Sequence, residues 1–347
     1  MVDLNDQDAI KKLDPKDVYD STGMFADQCS YIWELSKSVA FDEKYKKAKE
    51  ILICGMGGSA YGAYVVPNLF KEELTVSVIN NNDYTLPGYI NKNSLVILSS
   101  YSGTTEEVLS AGKYALEKGL YVVTLTGGGK LAEMGKTDNF PALVFDQKFN
   151  PSGQPRLGTG YMVFGTIAML TRLGYLSITD EDVKKEIDTL KRNAAQIKAK
   201  AKELAQKVYG YIPVIFSAEH LTGNIHIMRN QFNETAKSFS SYSELPELNH
   251  HLMEGLKNPQ DKKLKIFFIN SELYSDKLKK RLALTKDVVG KNNIEWIEYQ
   301  PISQTEMGQM LEVLSLGGYV TFYLAILYEQ DPSLIPWVDY FKEQLTK

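Results

Sequence analysis

The chain has 347 residues, of which 44% are hydrophobic and 24% are charged, and its formal net charge is −4. This length exceeds what a single core usually holds and favours two domains of similar size. The small negative charge argues against general nucleic-acid binding. Two cysteines, Cys29 and Cys54, are too few for a disulfide framework.

The N-terminal stretch "MVDLNDQDAIKKLDPKD" is polar and acidic and does not resemble a signal peptide. No apolar run is expected to reach the roughly 20 residues of a membrane helix. The most apolar helix candidate, "GGYVTFYLAILY", is predicted to lie in the core. We therefore expect a cytoplasmic protein without a membrane partner.

Strand and helix patterns alternate along the first half of the chain. The predicted strands are "EILICG", "LTVSVIN", "SLVILSS", "LYVVTLTGGG" and "ALVFD". Helices are predicted over 59–70, 104–118 and 157–173. Short β-branched runs separated by helices indicate a parallel, doubly wound sheet.

The stretch 180–207 is charged and alanine-rich, which is typical of a long, partly exposed helix between two lobes. The alternation then restarts with the strands "YIPVIFS", "KLKIFFIN" and "NIEWIEY" and with helices over 221–237 and 304–329. The pattern predicts an α/β protein with an N-terminal helical segment (1–40), a first domain (41–180), a connecting helix (181–207) and a second domain that ends in a C-terminal helix (208–347).

A glycine-rich turn, "CGMGGSA", follows the first strand. Gly55, Gly57 and Ala60 fit the loose dinucleotide-binding fingerprint, which also requires an acidic residue at the end of the second strand. That strand instead ends in Asn80–Asn82, so a nicotinamide-dependent oxidoreductase is disfavoured. A purely structural role for the glycines stays open.

A turn rich in hydroxyl groups, "SSYSGTTEEVLS", follows the third strand. Thr104 and Glu107 have the spacing of a capping box, which needs only one hydroxyl. The turns that follow parallel strands gather on one edge of the sheet. Several hydroxyls, free amides and a helix dipole at that edge favour a phosphate monoester over helix capping alone. The hydroxyls are those of Ser59, Ser100, Ser102, Thr104 and Thr105.

The segments "GMGGSA" and "SSYSGTTEE" resemble the sugar isomerase (SIS) domain, a phosphosugar-binding α/β module. "GQPRLGTGY", "NQFNETAKSF", "ELPELNHHLMEG" and "DYFKEQL" extend this to a resemblance to the bifunctional phosphoglucose/phosphomannose isomerases, over essentially the whole chain beyond the N-terminal segment. The sequence departs from that family at Thr104 and His251, where asparagine is common.

The resemblance implies two SIS-type domains and an aldose–ketose isomerase that needs no metal and no cofactor. Glucose 6-phosphate and mannose 6-phosphate would be interconverted with fructose 6-phosphate through a cis-enediol. Glu234 matches the catalytic base, His250 and Lys342 match the ring-opening groups, and Arg156 is suited to stabilise the enediolate. The phosphate would be held by Gly58, Ser59, Ser100, Ser102, Thr104 and Thr105.

The resemblance also implies an obligate homodimer in which His250 reaches the site of the partner subunit. Adjacent His251 remains an alternative for that role. Ser333, in "DPSLIP", is a candidate for the wall of the sugar pocket.

Two other functions remain open: a non-catalytic SIS protein that senses sugar phosphates, and an aminosugar-phosphate isomerase. Without the motif, Glu234 would be taken for a solvated carboxylate paired with Lys237. The spacings of the four histidines match no metal-binding motif, and the chain has no Walker-type loop.

Overall fold

The computed structural model describes residues 2–345 and 347, and within them the strands form two parallel sheets. The order of the first sheet is β2-β1-β3-β4-β5 and that of the second is β7-β6-β8-β9. The strands are β1 (Glu50–Cys54), β2 (Ser77–Asn81), β3 (Ser94–Ser100), β4 (Tyr121–Thr126), β5 (Ala142–Val144), β6 (Ile212–Ala218), β7 (Ser241–Leu245), β8 (Leu264–Ile269) and β9 (Glu295–Tyr299).

Helices precede, flank and connect the two sheets. They are α1 (Gln7–Leu13), α2 (Val18–Gly23), α3 (Phe25–Ser36), α4 (Tyr61–Leu69), α5 (Glu106–Glu117), α6 (Gly129–Thr137), α7 (Thr159–Arg172), α8 (Asp180–Val208), α9 (Thr222–Glu234), α10 (Leu252–Gly255), α11 (Asp276–Lys291), α12 (Glu306–Leu327) and α13 (Pro336–Leu345). The predicted α/β class with parallel sheets and flanking helices is confirmed. The division into domains stays a prediction.

Four elements were not predicted from the sequence, and one of them is the four-residue helix α10. Strand β7 ("SYSEL") lies at the edge of its sheet and is only partly buried, so it lacks a strong apolar pattern. Helices α6 and α11 have few buried residues and contain many charged residues or glycines. Edge strands and solvent-facing helices give weak hydrophobic periodicity, which is the main signal in a sequence.

The helix predicted over 304–329 forms as α12, and its 22 residues make it longer than the expected apolar run. The expectation that no run approaches membrane-helix length was therefore wrong. Among the described residues, α12 is the one helix long and apolar enough to cross a membrane, and its most apolar window is completely buried inside the fold. It packs against α8 and α9, as predicted for a core helix.

The two halves meet where α4 packs on α9. A Cβ atom at Gly223 would lie 2.3 Å from the carbonyl oxygen of Tyr64, so only glycine permits this approach. One turn further along α9, the His226 ring stacks on Tyr64 at 3.8 Å and on Tyr242 at 4.8 Å. The Tyr242 hydroxyl also lies 3.0 Å from His226 Nδ1. This stack joins α4, α9 and β7.

We predict that the stack makes the stability of the protein depend on pH. Burial lowers the pKa of His226 to about 4 from its ordinary 6.5, so the unfolded chain binds more protons than the folded one between these values. The free energy of unfolding should have its full value above pH 6.5 and should fall by about 1–2 kcal/mol as the pH is lowered towards 4. This range allows for the partial exposure of the His226 side chain to solvent. Denaturant titrations should show a flatter pH dependence in His226→Gln; an unchanged slope would contradict this.

Candidate active site

The turns after β1 and β3 are joined by hydrogen bonds at the switch point of the first sheet. Ser59 lies in a 3-10 turn, Gly57–Ala60, directly before α4. Its carbonyl oxygen accepts from Ser99 Oγ at 2.6 Å, and its hydroxyl oxygen accepts from the Tyr101 amide at 2.9 Å. Ser59 is buried, and its hydroxyl proton is still available for a ligand.

The other hydroxyls pair within the turn after β3. Ser100 Oγ and Thr105 Oγ1 are 2.8 Å apart, and Ser100 Oγ accepts from the Gly103 amide. Ser102 Oγ accepts from the amide and hydroxyl of Thr104. Ser100 is buried, Thr105 is half-buried, and Ser102 and Thr104 are exposed. The structure thus brings the predicted hydroxyls together at one edge.

The predicted Thr104–Glu107 capping box was wrong. Helix α5 begins at Glu106 with Thr105 as its N-cap, and the Thr105 side chain makes no capping bond. The Thr104 hydroxyl bonds to Ser102 instead. The first amides of α5 therefore have no side-chain cap, which leaves the positive end of the helix dipole beside the hydroxyls.

Gly58 lets the chain around Arg156 approach this edge closely. A Cβ atom at Gly58 would lie 3.2 Å from the Cα atom of Arg156. Arg156 is only 4% exposed, and its Nη2 donates at 2.8 Å to the carbonyl oxygens of Pro332 and Ser333. Its buried Nε has no hydrogen-bond partner among the described residues. The Nε–H group of this guanidinium is thus available for a bound anion or enediolate.

Glu234 is the last residue of α9 and is half-buried. Burial raises the pKa of its carboxyl, while the nearby charges of Arg156, Lys342 and Arg229 lower it. Within residues 2–345 and 347, no hydrogen bond and no ion pair below 4.0 Å involves this carboxylate. A half-buried carboxylate without a hydrogen-bond partner, placed among cations, is suited to proton transfer.

The structure brings Lys342 to Glu234 but not His250. Lys342 lies on α13, a helix without buried residues, and its charge acts on Glu234. His250 ends a 3-10 turn after β7, is exposed, and is not among the charges that act most strongly on Glu234. His251 is also exposed, and its Nε2 lies 2.7 Å from Glu247 Oε2.

The sequence analysis missed one residue at the centre of this region. The Tyr61 hydroxyl is fully buried, and no described residue makes a close hydrogen bond with it, although the Asn230 side chain lies near enough to influence it. Burial and the Glu234 carboxylate raise the pKa of Tyr61, whereas the Asn230 side chain and the Arg156 charge lower it. Its position directly after "GGSA" was the available signal, but a buried tyrosine on a core-facing helix is usually read as packing.

The corresponding edge of the second sheet is occupied by the chain itself. Its switch point lies between β6 and β8, where α11 begins after Ser275. The Glu219 carboxylate accepts from the Ser275 amide at 3.1 Å, so an acidic side chain already lies at that helix N-terminus. Buried His220 contacts Gln309 there at 2.9 Å. An anion would be repelled at this edge.

The described residues offer no group of three or more His, Cys, Asp or Glu side chains that could hold a metal ion. Cys29 and Cys54 are both buried free thiols. At the end of β2, where a dinucleotide site needs an acid, Asn81 Nδ2 donates to the Thr85 carbonyl oxygen at 3.1 Å. The described side chains therefore fit neither a metal site nor a dinucleotide-binding site.

Comparison with known proteins places the chain in a family. It is 30% identical to a bifunctional phosphoglucose/phosphomannose isomerase of Caldicellulosiruptor bescii, over 95% of this chain and 99% of the relative. A protein of the same name from Aquifex aeolicus is 30% identical over 86% and 91% of the two chains. The chain belongs to the bifunctional phosphoglucose/phosphomannose isomerase family.

A family model and a solved structure also match the chain. A family model described as the bacterial phospho-glucose isomerase C-terminal SIS domain matches residues 197–345. The C-terminal domain of glucosamine-fructose-6-phosphate aminotransferase from Francisella tularensis superposes with a TM-score of 0.70 at 13% identity, over 91% of this chain and 97% of that one. At this low identity, the structural match supports the fold and says nothing about activity.

Proposed function

We propose that this isomerase interconverts glucose 6-phosphate and mannose 6-phosphate with fructose 6-phosphate, with Glu234 as the single base. The observation that carries the proposal is the half-buried Glu234 carboxylate, which lies close to Arg156 and Lys342 and has no hydrogen-bond partner among residues 2–345 and 347. Gly58 packs on Arg156 and so links this carboxylate to the hydroxyl-rich edge of the first sheet. The substrates are those named by the relatives.

The phosphate would lie against the hydroxyls of Ser59, Ser100, Ser102, Thr104 and Thr105 and the amides around Gly58. A phosphate held there fixes the sugar, so one base can serve two adjacent carbons. Glu234 removes the proton from carbon 2 of the open-chain aldose and returns it to carbon 1. Meanwhile the carbon 2 hydroxyl loses its proton and oxygen 1 gains one, which yields the ketose. Arg156 Nε would donate to the enediolate oxygen.

Ring opening precedes this transfer and needs its own proton carriers. We assign it to His250 and Lys342, which would protonate the ring oxygen and accept the proton of the anomeric hydroxyl. Glucose and mannose 6-phosphates differ only at carbon 2, so rotation about the carbon 2–carbon 3 bond presents either epimer to Glu234. The Ser333 segment would line the space for this rotation.

We place this activity in the cytoplasm. Sugar 6-phosphates are doubly charged and do not cross membranes unaided. The two free thiols suit a reducing compartment.

Removal of the base should abolish both activities. In Glu234→Gln, which keeps shape and removes proton affinity, kcat for both aldose phosphates should fall by at least about 10³-fold. Coupled assays on glucose 6-phosphate and mannose 6-phosphate, with EDTA present, provide the measurement, and glucosamine 6-phosphate serves as the control substrate. Native-like activity of the variant, loss of native activity in EDTA, or turnover of the aminosugar alone would refute the proposal; binding without turnover would indicate a sensor.

The acid side of the pH–rate profile should reflect the titration of the Glu234 carboxyl group. Because burial raises the pKa of this carboxyl, kcat/KM should fall with a midpoint above the ordinary 4.5 as the pH is lowered. Arg229 lowers that pKa, so Arg229→Gln should move the midpoint upward and Arg229→Lys should largely restore it. An unchanged midpoint in Arg229→Gln would assign the acid limb to another group.

We further propose that the enzyme is a homodimer whose sites are shared between subunits. Within one chain, His250 is exposed and does not lie with Glu234. On α13, the residues Trp337, Phe341 and Leu345 are 81%, 61% and 62% exposed to solvent. An exposed aromatic helix beside a candidate site is suited to burial against a second copy. The partner subunit would then supply His250.

A mixing experiment tests the shared site. Glu234→Gln and His250→Asn should each be inactive alone. If His250 acts in the other subunit, a randomly mixed population should regain about a quarter of native activity, because half the dimers then carry one intact site. Light scattering should give the dimer mass. No regain after verified subunit exchange would contradict the shared site.

A further inference from the structure

The segment 331–333, between α12 and α13, is held by cations from both halves of the chain. Arg156, from the first half, donates to the carbonyl oxygens of Pro332 and Ser333. Lys237, from the second half, donates through Nζ to the carbonyl oxygen of Asp331 at 2.6 Å. The Asp331 carboxylate accepts from the amide and hydroxyl of Ser333 at 2.7 and 2.6 Å, which closes the turn.

The backbone conformation and the hydrogen bonds of Lys237 direct its side chain to this contact. It adopts a left-handed backbone conformation with φ of 51°, which is unfavourable for a lysine, three residues after the end of α9. Its Nζ also donates to the Thr235 carbonyl oxygen at 3.1 Å. Burial and the Arg156 charge lower the pKa of Lys237 to about 8, opposed by Asp331 and Glu234, so the ammonium is charged at neutral pH.

The position of α13 depends on this segment. No residue of α13 is buried in the chain, whereas Pro332 and Ser333 directly before it are. Lys342, on α13, must nevertheless stand near Glu234, which precedes Lys237 by three residues. Lys237 therefore links the turn that carries Glu234 to the segment that leads to Lys342.

We propose that Lys237 is a positioning residue: its bond to the Asp331 carbonyl sets the place of Lys342 relative to Glu234, without contact with the substrate. The inference rests on the proposed isomerase function. Loss of the bond would let the start of α13 shift, and a shift of about 1 Å in a reacting group can cost up to about a hundredfold in rate. The phosphate-binding edge lies on the first sheet and would be unaffected.

Kinetics of Lys237→Met test the proposal at the plateau of the pH–rate profile, where a shifted pKa of Glu234 has no effect. We expect kcat for glucose 6-phosphate to fall about tenfold to a hundredfold, with KM nearly unchanged. Lys237→Arg, which can still donate to the carbonyl, should recover most of the rate. Lys184→Met, on the exposed face of α8, is the matched control and should behave as the native enzyme.

A double-mutant cycle with Lys342→Met separates positioning from general structural damage. If Lys237 acts through Lys342, then Lys237→Met should add little to the defect of Lys342→Met. Should Lys237→Met fail to fold, Asp331→Ala, which opens the Ser333 turn, should show the same non-additive pattern. Additive effects, or a native rate in Lys237→Met, would overturn the inference while leaving the isomerase function intact. An inactive native chain would refute the function itself.

Discussion

The close packing of α4 on α9 is the contact on which the candidate site depends. Gly223 lets the two helix backbones approach, and the Tyr64–His226–Tyr242 stack fixes the approach with stacked rings and a hydrogen bond. Because α4 begins at the proposed phosphate-binding edge and α9 ends at Glu234, this one crossing sets the distance between that edge and the proposed base. Catalysis by a single carboxylate tolerates little error in that distance.

The two sheets share a topology but not a charge pattern. The edge of the first sheet offers hydroxyls and uncapped amides, whereas that of the second has its own Glu219 carboxylate on the helix N-terminus. A parallel sheet creates a potential ligand site at its switch point, and the side chains there decide whether the site binds an anion. In the proposed mechanism, this asymmetry leaves the second half free to contribute the base and the C-terminal helix.

The sequence predicted the fold better than the site. Buried strands such as β3 and long helices such as α8 can be predicted from their apolar and charge patterns. The edge strand β7 and the exposed helix α11 lack such patterns. The hydroxyls after β3 were predictable because parallel strands end together. Tyr61 and Lys237 were not, since their significance comes from tertiary neighbours distant in sequence. The capping box failed because the Thr104 hydroxyl bonds to Ser102.

The central claim is that a phosphate held at the first sheet presents its sugar to a carboxylate from the second half. A crystal structure of Glu234→Gln with fructose 6-phosphate tests it most directly. The account predicts phosphate oxygens within hydrogen-bond distance of the hydroxyls after β3, and the side chain at position 234 facing carbons 1 and 2 of the sugar. A phosphate bound at the edge of the second sheet, or a side chain at 234 turned away from those carbons, would contradict it.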